Sequence, residues 1–454
     1  MHKTDTKRAL LGVGIPVAIQ NLITYSLNFV DTAMISYVSE EALAAVTLAN
    51  QVFFLMILIT FGIASGSGSF LSQFMGREDE ENIKRTVSAT LLFAGSVGFV
   101  SMIAAMLFGE QLMGLLIREQ QVIQLGSSYL VWVAPSYLFT TLSSTFMVAT
   151  RSTGRARIAM IASSLAVLSN IVFDYLLIFG KFGFPQMGIV GAALATTIAR
   201  IFEFALMVWF VYRYEKLIAP RLRHFKTLTS DFLRALLRTS LPVVANETLW
   251  ALGIVLYTVH LGFLGQGAVA AFQVTRNLYN FFDVGFFGLA SAASFLLGVS
   301  IGSGRIEEAK QTARDFMKYS IFGSMGFMVL LFVLSPYLLQ VFELSVETYE
   351  MARSMMRILG SFLILKNINL LFIVGIARGG GDTRHAMFIE VFGVWGIGVP
   401  IAFISVFLLK LDAVFIVLLL QAEEVAKSIL CIRRLRNHRW IHDLTSRFEE
   451  RNIA

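Results

Sequence analysis

A single cysteine, Cys431, stands in the 454-residue chain. It excludes an intramolecular disulfide, a thiolate-bound zinc and an iron–sulfur cluster. Charge is scarce as well. Asp, Glu, Lys and Arg make up 15% of the residues, against roughly 25% in soluble domains. No Gly-Lys-Ser/Thr phosphate loop occurs, and Arg378-Gly379-Gly380-Gly381 lacks both the lysine and a preceding strand. An ATP-driven pump would therefore need a separate subunit. Neither a Ser/His/Asp set nor a histidine-rich cluster suggests catalysis, so the chain is expected to be no enzyme and to need no organic cofactor.

What fills the chain is apolar. Hydrophobic residues reach 56%, with 40 Phe, the composition of a polytopic membrane protein. A crossing helix needs about 20 apolar residues. Such stretches fall at 10–37, 44–75, 87–108, 125–149, 159–179, 187–212, 238–262, 268–300, 316–341, 351–376, 386–409 and 412–432. Asn246-Glu247-Thr248 fits the glycosylation pattern but lies inside one of them, a chance match. The layout around Met1-His2-Lys3 is not that of a cleavable signal, and the first stretch is too long for one.

The first half of the sequence returns in the second. Pro16-Val17 falls on Pro242-Val243 at a shift of 226, and Ala42, Ala44, Phe61, Gly62, Ala64, Ser65, Gly76 and Lys84 repeat at the same shift. One residue later in register, Arg151…Gly154…Arg157 matches Arg378…Gly381…Arg384. Duplicated hydrophobic chains are a common build for secondary transporters, with the substrate path between the halves. The expected fold is all-α and integral to the membrane: twelve transmembrane helices in two pseudo-symmetric six-helix lobes, residues 1–220 and 221–454 with a short tail.

Basic residues gather in alternate connections: Lys3, Lys7 and Arg8; Arg77, Lys84 and Arg85; Arg151, Arg155 and Arg157; then the connector from Arg213 to Arg238. Arg305 to Lys318, Arg378 with Arg384, and Arg433 to Arg439 continue the pattern. Positive charge marks the cytoplasmic side, which predicts a multi-pass protein of the cell (inner) membrane with both termini inside. The net charge of +7 is thus a topology signal, and nucleic acid is not an expected partner.

Polar groups inside the spans carry the functional expectation. Asn21, Thr24, Tyr25, Asn28, Asp31 and Thr32 share one face of the first helix. A carboxyl in hydrocarbon is costly and marks a functional site by default, the alternative being a buried acid held by its neighbours. Asn170 and Asp174, four apart, add a second acid on the fifth span. Two nearby carboxylates hold one proton between them or bind a cation, and oxygen-only donors suit a hard ion such as Na⁺ rather than zinc or copper.

At this point the chain resembles the multidrug and toxic compound extrusion (MATE) transporters, of bacterial type. The likeness rests on the early Pro-Val, Val30-Asp31-Thr32, Gly76, the Arg-x-x-Gly-x-x-Arg after the fourth span, Asn170-Ile171-Val172-Phe173-Asp174 and the run Gly188 to Thr196. It implies a monovalent cation or proton site made by Asp31, Asn170, Asp174 and Thr196. It also implies a Na⁺- or H⁺-coupled antiporter that exports amphiphilic, cationic or aromatic molecules by alternating access. Asn21, Tyr25 and Asn28 join as substrate or coupling candidates.

The second half departs from the sodium-coupled branch typified by the norfloxacin transporters. Where that branch has an acid in the tenth span, this chain has Asn367, preceded by Lys366. The seventh-span acid is Glu247, and Tyr257 stands opposite Asp31 in the repeat. Lys366 needs a counter-charge from Glu247 or Asp283, with Glu247 the expected partner. Arg276 is the remaining intramembrane cation candidate. Arg200–Glu203 and Lys427 with Glu423 and Glu424 read as structural pairs near the membrane edges. Glu390 has no partner by sequence, and His260 reads as an edge residue. Phe272, Phe281 and Phe282 near Tyr279 suit aromatic or cationic substrates. The expected partners are a small molecule and membrane lipid, and the expected state is a monomer. A lipid-linked-precursor flippase is the rival function, one that calls for more intramembrane Arg and Lys than these.

Overall fold

The computed structural model describes residues 2–342 and 344–448, except the side chains of residues 2–5, Asn28, Phe29, Phe282 and Arg447. Twelve long helices run along the chain: α1 (Thr6–Ser36), α2 (Glu40–Gly76), α3 (Glu80–Leu107), α4 (Gln120–Ser152), α5 (Arg157–Phe179) and α6 (Gly188–Tyr214). They continue with α7 (Ser230–Gly262), α8 (Gln266–Gly302), α9 (Ile306–Gln340), α10 (Val346–Ala377), α11 (Thr383–Leu408) and α12 (Ala413–Arg436). Eleven are long and apolar enough to cross a membrane, α8 over Asp283–Gly302. In α12 the apolar stretch is interrupted by Glu423, Glu424 and Lys427, with the lysine bonded to both acids inside the protein. The protein is an all-α membrane protein with twelve long helices among the described residues.

Local chemistry sets the helix ends. Ser39 caps α2 by accepting the Ala42 N–H at 3.0 Å, and Asp79 caps α3 by accepting that of Asn82 at 3.0 Å. After α4 and α10 the chain turns through Gly154 (φ 81°) and Gly381 (φ 79°), the glycines of the repeated Arg-x-x-Gly-x-x-Arg. Left-handed backbone is what the motif needs from glycine. In α1, Leu10–Gly14 is π-helical just before Pro16, whose ring cannot sit in a regular α-helical ladder.

The chain forms two compact units, Ile19–Val244 and Met1–Ala18 with Ala245–Ala454. The two breaks fall inside α1 and α7. They are 226 residues apart (244 − 18), the shift of the internal repeat. Each of these helices contributes to both units. In the amino unit the core lies among α2, α4 and α6, around Met56, Tyr137 and Ala193. Gly66 sits against Ser240, where a Cβ would come within 2.5 Å of Ser240 Cα, so the small-residue run serves helix packing. In the carboxyl unit the core gathers around Tyr257, Met355 and Ile416.

Basic connections meet within each unit. Arg155 pairs with Glu215 at 2.5 Å, and Arg223 with Glu81 at 3.1 Å, which brings three connections of the amino unit together. In the carboxyl unit Arg434 pairs with Asp382 at 2.8 Å, and the segment after α12 returns along Gly380 and Gly381 with Trp440 fully buried.

Candidate functional site

The amino unit brings four helices to one polar point. Asp174 on α5 is 2% exposed and Asn170 3%. One helical turn apart, they face the same way, and Asn170 Nδ2 donates to Asp174 Oδ2 at 2.9 Å. The Asp31 carboxyl of α1 lies within hydrogen-bonding reach of the Asp174 carboxyl, and its Oδ1 is buried without another partner. Thr196 of α6 is half-buried and hydrogen-bonds to the buried Tyr129 of α4, whose hydroxyl is close enough to feel the charge of both acids. Tyr129 belongs to no motif in the sequence, and only the fold reveals it. Arg200 on α6 places its charge close enough to act on Asp31.

Other groups of the amino unit lie elsewhere. Asn21 is half-buried, and Tyr25 is 54% exposed. The Asn28 side chain lies outside the described residues. Gln20, unnoticed in the sequence, is 4% exposed and accepts from Arg151 at 2.7 Å. Arg200 and Glu203 do pair, at 2.9 Å, and Glu203 is 1% exposed and also accepts from Ser163.

The carboxyl unit corrects the expected pairings. Lys366 of α10 bonds Asp283 of α8 and lies over the Tyr279 ring, 4.0 Å from its centroid. Glu247 of α7 bonds Arg378 instead. Adjacent residues on a helix point about 100° apart, so Lys366 does not share a site with Asn367. Asn367 is fully buried and donates to Ser324 of α9 at 2.9 Å. Tyr257 donates to Glu423 at 2.5 Å. Arg276 is half-buried.

Lys427, Glu423 and Glu424 do pair, and Glu423 is buried with the lysine. Lys427 is buried and touches Glu423 at 2.8 Å, Glu424 at 3.0 Å and Glu390 of α11 at 3.1 Å, which supplies the partner that Glu390 lacked in the sequence. His260 bonds the Leu256 carbonyl at 2.6 Å and packs edge-on to Phe403 and Phe407. Phe272 is buried, Phe281 is 57% exposed, and the Phe282 side chain lies outside the described residues.

Known proteins align with this arrangement over most of its length. The chain is 29% identical over 379 residues, 82% of its own length and 81% of the other, to the probable multidrug resistance protein YoeA of Bacillus subtilis (strain 168). To the probable multidrug resistance protein NorM of Thermotoga maritima it is 23% identical over 409 residues, covering 88% and 86% of the two chains. Among solved structures, the crystal structure of MATE in complex with MaL6 superposes with a TM-score of 0.87 at 20% identity, over 95% and 96% of the chains. An outward-facing multidrug resistance MATE family transporter of the MOP superfamily gives 0.86 at 20% identity, again over 95% and 96%. At such identity these two speak for the fold. The MatE family model matches residues 16–176 and 225–404, which takes in α1 to α5 and α7 to α11 nearly whole. The chain belongs to the MatE family, and is a membrane transporter and not an enzyme.

Proposed function

We propose that this protein is a cation-coupled antiporter that exports small amphiphilic molecules, cationic or aromatic, with the coupling ion carried by Asp31, Asn170, Asp174 and Thr196. The contact between the Asp31 and Asp174 carboxyls carries the reading. Two carboxylates this close repel unless a proton or cation lies between them. Direct hydrogen bonding of the two groups favours a shared proton. The second reading, Na⁺, is favoured by four oxygen-bearing side chains with no sulfur or ring nitrogen among them. In either case the ion removes the repulsion between α1 and α5, so the two ion states favour different packings of the amino unit. Export follows when substrate favours the other packing, since a ligand shifts an equilibrium only through differential affinity.

The printed names of the relatives, multidrug resistance proteins, support the substrate class. Against the flippase reading, Arg200, Lys366, Arg378 and Lys427 each face a carboxylate, which spends the cations a pyrophosphate lipid would require. The gathering of basic connections supports cytoplasmic termini in the cell (inner) membrane. We take the working unit to be a monomer.

The test is efflux of a fluorescent cationic dye from proteoliposomes under each gradient alone. A pH gradient in Na⁺-free buffer driving efflux supports proton coupling. Efflux only with a Na⁺ gradient supports the second reading. Efflux indifferent to both gradients would overturn coupled export.

A further inference from the structure

The carboxyl unit holds a buried ionic network that the coupling scheme above does not use. Lys427 of α12 is met by three carboxyls, Glu423, Glu424 and Glu390. From α8 come Asp283 and Tyr279, and from α10 Lys366, whose charge reaches Glu424. Tyr257 of α7 donates to Glu423, and the buried Cys431 thiol is close enough to feel the charge of Glu390. Four carboxyls thus stand against two ammoniums. Buried charge of one sign without compensation is far too costly to persist.

The acids are not equivalent. Glu423 receives Lys427 and the Tyr257 hydroxyl. Glu424 faces Lys427 and receives the Asn369 amide at 2.7 Å. Asp283 receives Lys366. Glu390 receives Lys427, already shared with two other acids, and no second donor among the described residues. It is the least supported anion. The surrounding helix is shaped for the group. At Gly393 a Cβ would lie 2.6 Å from Lys427 Cγ and Cδ, and at Gly398 2.6 Å from Glu423 Oε2, so glycines on α11 make the room that the lysine and acid fill. Both lie in Phe392–Gly398, which is π-helical, a widened turn that recurs at functional sites.

We propose that the carboxyl unit contains a second proton site: Glu390, set against Lys427, Glu423 and Glu424, takes up and releases a proton independently of Asp31 and Asp174. The Glu390 carboxylate takes the proton from hydronium, one carboxyl O–H bond forming as one hydronium O–H bond breaks to leave water, and returns it by the reverse step. Lys427 fills the position a metal cation would occupy among these oxygens, which leaves the proton as the ligand.

Infrared titration of the full-length protein in liposomes, in Na⁺-free buffer, tests this in Asp31→Asn/Asp174→Asn, which lacks the acids of the amino unit. A protonated-carboxyl band should remain and titrate with pH. Adding Glu390→Gln should remove it, and adding Lys427→Met instead should increase it. If Glu390→Gln fails to fold, Glu390→Asp must shift the titration midpoint. The proposal is overturned by a band that persists with Glu390→Gln, by an unmoved midpoint with Glu390→Asp, or by the absence of any titrating carboxyl once Asp31 and Asp174 are gone. Dye efflux by the Asp31→Asn and Asp174→Asn single variants reads the amino-unit site separately, so the two readings fail independently.

Discussion

Arg378 donates a charged hydrogen bond to Glu247, and the arginine is only 3% exposed. Its repeat counterpart, Arg151, donates to Gln20 in the same way. Each half of the repeat thus ties the arginine at the end of its fourth helix to the middle of its first, with a charge pair in one half and an amide in the other. Removing one member of a buried ion pair costs about 3–5 kcal/mol, whereas removing both together costs much less. Arg378→Met should therefore lower the thermal midpoint of the purified protein more than Arg378→Met combined with Glu247→Gln. Additive losses in the double variant would show that the pair is not coupled.

Gly381 turns the chain at φ 79°, and a Cβ there would lie 2.9 Å from Leu444 Cγ. A non-glycine residue in left-handed backbone costs about 1–2 kcal/mol before any clash. Gly381→Ala should destabilise visibly in a thermal melt. Gly114→Ala, where nothing lies within 4 Å, should be neutral or stabilising.

In the connector between α6 and α7, His224 Nδ1 accepts the Arg221 N–H at 2.7 Å, capping the short helix Leu222–Lys226. Burial holds its pKa below the ordinary 6.5, and the neighbouring Arg223 and Lys84 push the same way against Glu81. A proton on Nδ1 would break the cap. With the folded value depressed, the unfolded chain binds the proton first, so stability is present above 6.5 and lost as pH falls through that region. The thermal midpoint should decline there in the wild type and decline less in His224→Gln. Equal decline in both would remove His224 as the cause.

Periodicity and charge made most of the architecture legible in the sequence, because bilayer thickness and the repeat leave few alternatives for Pro16/Pro242 or Arg151/Arg378. Asn170 and Asp174 were readable for the same reason: four residues on a helix share a face. Partner choice across helices was not. Lys366 found Asp283 rather than Glu247, and Glu390 found Lys427, because which faces oppose one another depends on helix rotation, which linear spacing does not encode. Tyr129 was hidden because an aromatic in an apolar run gives no sign of its direction.

Asn170 donates to Asp174 while Thr196 is engaged with Tyr129. Under proton coupling, Asn170→Ala should slow pH-driven efflux roughly tenfold, the loss of about 1.5 kcal/mol from a hydrogen bond to a charged group. Thr196→Ala should have a smaller effect. If instead both changes abolish a dependence on Na⁺ and spare pH-driven transport, the ion is Na⁺.

The most direct measurement is gradient-driven dye efflux from proteoliposomes containing Asp31→Asn, matched to wild type in protein amount and thermal midpoint. The amide keeps the size of Asp31 but can neither hold the shared proton nor balance a cation beside Asp174. The predicted result is a folded protein whose efflux no longer responds to either gradient. Efflux at the wild-type rate would contradict the assignment of coupling to Asp31 and Asp174.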